Sequence, residues 1–139
     1  MHVSFALFAD AANLSQEGKL NILGVFDALQ VAGLPAVHPR AHLVVHLKGT
    51  GADVGSHTVN FRWISPSGSE LWNSSGDLSV GAPPPGAVEM DLPLIAQIDL
   101  PIDSAGSFTM AIAIDGDHTI DVPVHVRSAS PMTGNAMLS

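Results

Sequence analysis

GSFTMAIAIDGDHTIDVPVHV, residues 106–126, decides the fold. Phe108, Met110, Ile112 and Ile114 alternate with small residues, and Ile120, Val122, Val124 and Val126 alternate with polar ones. A period of two places one set of side chains on each face of a strand. Between the two runs stands Asp115-Gly116, whose residue types suit the left-handed conformation of a tight hairpin turn. Pro123 has no N–H to give to a ladder, so one side of the last strand is expected to lack a strand partner.

The same period recurs upstream. Val3, Phe5 and Leu7 alternate with His2, Ser4 and Ala6, and a polar loop is expected from Asp10 to Gly18. Lys19–Asp27 reads as a second strand with Leu20, Ile22 and Phe26 on one face, and Gly24 inside it marks a bulge or a close backbone approach. Ala28–Pro39 is ambiguous. Ala41–Lys48 presents Leu43, Val45 and Leu47 inward, and His57–Ile64 presents Val59, Phe61 and Trp63. Pro66-Ser67-Gly68 turns that strand into Glu70–Asn73, and Asp77–Val80 reads as a separate short strand. Pro83-Pro84-Pro85-Gly86 breaks the chain. Val88–Leu100 is apolar but interrupted by Pro93, which fits an edge, a bend or two short strands. Seven to nine short strands without a helix predict an all-β, antiparallel sandwich over residues 1–127. Residues 128–139 carry no period and read as a C-terminal tail.

The composition bounds function. Charged residues make up 13% of the 139, against about 25% in an average soluble domain, while 46% are hydrophobic. Mean hydropathy is +0.31. Net charge is −8 and the five basic residues are scattered singly, unlike the basic patch of a nucleic-acid binder. No apolar run reaches the ~18 residues of a membrane span. Val3–Ala9 is apolar, but no Lys or Arg precedes it, so a signal peptide is not expected. There is no cysteine, which removes disulfides and thiolate chemistry and fits a bacterial cytoplasm.

The sites that suggest themselves have simpler readings. His38, His42 and His46 recur every four residues, which on a helix would form a metal-binding face. On a strand His42 and His46 stand about 13 Å apart, so no metal is expected. The row reads instead as an outward His–Val–His stripe that would charge between about pH 5 and 7. Asp115, Asp117 and Asp121 surround a glycine but lack the further ligands and terminal Glu of a calcium loop. Gly49–Gly55 lacks the Gly-Lys-Ser/Thr ending of a phosphate loop. No nucleophile elbow or paired carboxylates emerge, so neither catalytic residues nor a cofactor is expected. Trp63 follows the inward alternation, whereas Trp72 fits either the core or a surface anchor.

FALFADAANLSQEGKLNILGVFDALQ with GLPAVHPRAHLVVHL, and the closing GSFTMAIAIDGDHTIDVPVHV, resemble a family of small bacterial proteins classed only as a domain of unknown function. The resemblance spans roughly residues 3–127 and is most specific in ADAAN…GKLNILGVFD. It implies an Ig-like sandwich and supplies no activity.

Scarce charge and edge-marking prolines at 93 and 123 point to a non-enzymatic subunit that associates with copies of itself. Interface candidates are Val3, Phe5, Trp72, Pro123, Met132, Met137 and Leu138. An adaptor that binds another protein through a sheet edge is the second reading, and a small-molecule binding module the third.

Overall fold

The structure, a computed structural model, describes residues 1–128. The expectations for Met132, Met137 and Leu138 lie outside the described residues. Nine strands form: β1 (His2–Leu14), β2 (Leu20–Phe26), β3 (Ala28–Val31), β4 (Ala36–Gly49), β5 (Gly55–Ile64), β6 (Glu70–Val80), β7 (Met90–Ile102), β8 (Gly106–Ile114) and β9 (Asp117–Ser128). They make a two-sheet sandwich, one sheet ordered β2-β1-β4-β7 and the other β3-β9-β8-β5-β6. A short 3-10 turn, Gly51–Asp53, is the only helical element among the described residues.

The β8–β9 hairpin forms where the alternation places it. Asp115 (φ 53°) and Gly116 (φ 83°) both take the left-handed region, as a two-residue type I′ turn requires. Val124 is fully buried and Val122 and Val126 nearly so, with Phe108 opposite Val124 and Met110 opposite Val122. From the other sheet, Leu43, Val45 and Leu47 enter the same core. At its centre the indole of Trp63 stacks on Phe108 (5.1 Å) and meets the edge of Phe8 (6.0 Å). Its Nε1–H donates to the Pro101 carbonyl at 2.8 Å, so this buried polar group is satisfied.

Several elements differ from the sequence reading, each for an identifiable reason. β1 runs on through Asp10–Leu14, because these residues pair with Leu20–Leu23 of β2; the expected loop shrinks to a turn at Ser15–Lys19. Glu70–Val80 is one strand, held along its length by β5. Pro93 does not divide β7, since an edge strand tolerates a missing donor. The ambiguous Ala28–Pro39 yields β3, which pairs with β9 in parallel while every other pair is antiparallel. β9 also runs one residue into the expected tail, ending at Ser128.

A change of register in β1 alters which side chains reach the core. Val3 lies opposite Leu47, but Phe5 lies opposite His46, one residue having been inserted between them. Such a bulge moves every later side chain to the other face. Val3 therefore points to the core, whereas Phe5 and Leu7 point outward and Ala6 and Phe8 take the inner positions. Phe8 is fully buried and Phe5 is 36% exposed. Truncating Phe8 to Ala is expected to cost about 3–5 kcal/mol of stability, and truncating Phe5 about 1 kcal/mol, for partial burial of a large apolar side chain. Equal losses in urea denaturation would contradict the register change.

Candidate interaction surface

The two outer faces of the sandwich differ in chemistry. On the five-stranded sheet, Asn60, Arg62, Asn73, Ser75, Asp77, Thr109, Asp121 and His125 point away from the core. Three of them bond to neighbours at the rim: Arg62 donates to Glu70 (2.6 Å), Asn73 donates to Glu70 (2.9 Å), and His125 pairs with Ser107 (2.8 Å). Arg62 and Asn73 together hold the Glu70 carboxyl below its ordinary range. Ile64, Ala111, Ala113 and Pro123 share this face, which is otherwise polar.

On the four-stranded sheet the outward positions are Phe5 and Leu7 of β1, Val44 of β4 between His42 and His46, and Pro93 and Ile95 of β7. Charge stands at the two ends of this face: at one, Lys48 donates to Asp91 at 2.9 Å and His46 Nε2 lies 3.6 Å from the same carboxylate; at the other, Asp99 accepts from the Arg40 N–H at 2.9 Å. The hydrogen bond to Lys48 lowers Asp91, and the bond to Asp91 raises Lys48. The His46 ring stacks on Phe5 at 5.0 Å, and its buried Nδ1 has no hydrogen-bond partner.

Part of this apolar face is covered by the chain itself. Val44 and Ala9 have no exposure at all, although both point outward. Glu17, Lys19, Leu20 and Ile22 line a cleft of about 510 Å³ together with Phe5, His46 and Pro93. Fully extended, Phe5 and Leu14 would stand about 30 Å apart, too far for the hairpin tip to share so small a cleft with Phe5. The β1–β2 hairpin therefore curls back over the outer face of its own sheet. The bend falls at Gly24, where φ is +73° and a side chain would collide with Asp10, so only glycine fits. The His42–Val44–His46 stripe points outward as expected, but Val44 is fully buried and His46 lines the covered cleft, while His42 stays half-buried.

The curled hairpin turns its other side to solvent. Leu23 is 73% exposed and Val25 61%, and near them Asn21 donates to Asn13 at 2.9 Å. The most exposed apolar pair of the sandwich strands thus lies on β2, an edge strand.

The sequence-derived interface residues scatter. Phe5 lies on the apolar outer face. Val3 packs against the core, as does Trp72, which stands opposite Trp63 and shares its inward direction. Pro123 lies on β9 just before the stretch that β3 covers. His125 N–H there donates to the Asp27 carbonyl, and residues two apart point their N–H groups the same way, so the missing donor of Pro123 falls on the uncovered side. Leu23 and Val25 were not singled out from the sequence, because a strand with a clear inner face does not reveal that its opposite face carries leucine and valine for a purpose.

A second cluster sits beside the start of β1 and the end of β4. His57 Nδ1 lies 2.6 Å from Asp115 Oδ2 and its Nε2 lies 2.6 Å from the Asp53 carbonyl oxygen. Asp115 and the Asp53 carbonyl both offer oxygen acceptors, so both contacts are hydrogen bonds together when the ring is protonated. The Asp115 bond, then the Asp53 bond, raise the pKa of His57 above its ordinary 6.5, and His57 in turn lowers Asp115 below 3.8. Met1, Asp117 and Thr119 line the same cleft. The cluster ties the 3-10 turn to the β8–β9 hairpin. Among the described residues no group of three or more His, Cys, Asp or Glu is arranged to hold a metal ion.

The pH dependence of this tie follows from the two shifts. His57 contributes fully below its unfolded pKa near 6.5, and the contribution is lost as pH rises through the raised folded value. Asp115 contributes above its unfolded 3.8 and is lost as pH falls through the lowered folded value. The pair is thus most stabilising from about pH 4 to 6.5. His57→Gln is expected to reduce the fall in melting temperature between pH 6 and pH 8; an unchanged fall would place that dependence elsewhere.

No curated protein matches the chain. β2 to β8 and nearly all of β1 and β9 fall within the stretch, residues 4–127, over which the chain matches a known family, and by that match it belongs to the family of unknown function DUF6941.

Proposed function

We propose that this chain is a non-enzymatic structural subunit that associates with copies of itself. The carrying observation is the contrast between the two sides of the sandwich. The five-stranded sheet presents a hydrogen-bonded polar surface, while the hairpin over the four-stranded sheet presents leucine and valine to water. Exposed apolar groups that cluster on one edge strand mark association sites. The scarce charge supports the same reading, since it leaves few groups to keep such a surface solvated. The cysteine-free composition supports a cytoplasmic subunit.

The strand order also supports an Ig-like form of the sandwich. β4 beside β7 corresponds to strands B and E of the immunoglobulin arrangement, and β5-β8-β9 to C-F-G. On this correspondence Trp63 occupies the place of the buried tryptophan on strand C.

One observation favours a second reading, an adaptor that receives an extended segment of another protein. Residues 2–7 of β1 pair only with β4, leaving their other side open. That edge borders a cleft of about 360 Å³ lined by Leu7, Phe26, Val122 and Pro123. Added strands bind such edges through main-chain hydrogen bonds.

Size-exclusion chromatography with light scattering separates the two. A subunit that self-associates runs as an oligomer at micromolar concentration, and dilution shifts it toward the monomer mass. A monodisperse monomer across that range overturns the first reading and leaves the adaptor.

A further inference from the structure

Four strands end the two sheets, β2 and β7 in one and β3 and β6 in the other; the open side of residues 2–7 of β1 is a fifth edge, and at Leu7 it faces Val122 and Pro123 of the other sheet. Natural edges are made unattractive to other strands by shortness, proline or charge. β3 has four residues. β7 carries Pro93 and Pro101, and β6 carries Glu70 and Asp77 along a run rich in serine. β2, LNILGVF, has neither proline nor charge, and it holds the exposed Leu23 and Val25.

The charges that flank β2 are arranged as if for a second copy of itself. Lys19 precedes the strand and Asp27 follows it, each four residues from Leu23. In an antiparallel pairing centred on Leu23, residue i of one copy faces residue 46 − i of the other. Lys19 then faces Asp27 at both ends. Leu20 faces Phe26, Asn21 faces Val25, Ile22 faces Gly24, which has no side chain to obstruct it, and Leu23 faces Leu23. Lys19 and Asp27 are both exposed; Lys19 has only a loose contact with Glu17 at 3.9 Å.

We propose that two copies join β2 to β2, antiparallel about a two-fold axis through Leu23, merging their four-stranded sheets into one continuous sheet. An isologous contact of this kind closes on itself and yields a dimer rather than a fibre. The proposal rests on the self-association argued above and identifies its surface.

The absence of cysteine from the chain makes the test clean. Opposed residues in an antiparallel pair have Cα atoms about 4.5–5.5 Å apart, within disulfide range. Leu23→Cys is therefore expected to give a covalent dimer on mild oxidation. Val25→Cys, displaced from its own counterpart by about 13 Å, is expected to cross-link at least tenfold less. In light scattering, Lys19→Asp and Asp27→Lys should each weaken dimerisation by about tenfold, from two exposed ion pairs turned repulsive. Combining them should restore it. Should either single swap lose structure by circular dichroism, the cysteine pair still decides, because both cysteines replace exposed residues. Equal cross-linking at the two positions, or no restoration in the folded double swap, with the wild type still oligomeric, overturns β2 pairing and leaves self-association through another surface. A monomeric wild type overturns both.

Discussion

Trp63 holds the two sheets in one arrangement. Its ring touches Phe108 within its own sheet and Phe8 across the core, and its N–H is spent on the carbonyl of Pro101 in the opposite sheet. A purely apolar side chain would contribute burial but no direction, since hydrophobic contact does not specify orientation. The indole fixes how far β7 lies from β5, and so which residues of the four-stranded sheet face inward. The outward set that gives this molecule its apolar side is the complement of that choice.

The sequence revealed most of the fold because most of the strands keep strict alternation against a core. Leu43, Val45 and Leu47, then Val59 and Trp63, then Val122, Val124 and Val126 all lie where a period of two places them. The failures have one physical origin each. In β1 a single inserted residue reverses the direction of Phe5 and Leu7, and a pattern of apolar residues looks the same before and after such an insertion. β3 has only four residues and owes its existence to a strand at the opposite end of the chain, so no local signal announces it. Glu70–Val80 contains too many serines to read as continuous, yet pairing along β5 makes it so.

The surface was less legible than the core. Phe5 could be chosen because it is large and close to the start, but Val3 and Trp72 belong to the interior. The exposure of Leu23 and Val25 depends on the hairpin curling over its sheet, a tertiary event that Gly24 permits but does not by itself announce. The charge deficit was the one global sign of an unusual surface, and it does not by itself point to the hairpin, where Leu23 and Val25 stand beside Asn13 and Asn21.

The parallel pairing of β3 with β9 has a consequence for how the chain acquires its shape. β1 and β2 are neighbours in sequence and find each other through a short turn, as soon as both exist. β3 follows immediately but has no partner until the final strand is complete, because its register runs Ala28 to His125. Loop closure over so long a stretch is entropically costly and slow. The five-stranded sheet therefore cannot close at β3 until the last strand of the chain has been made.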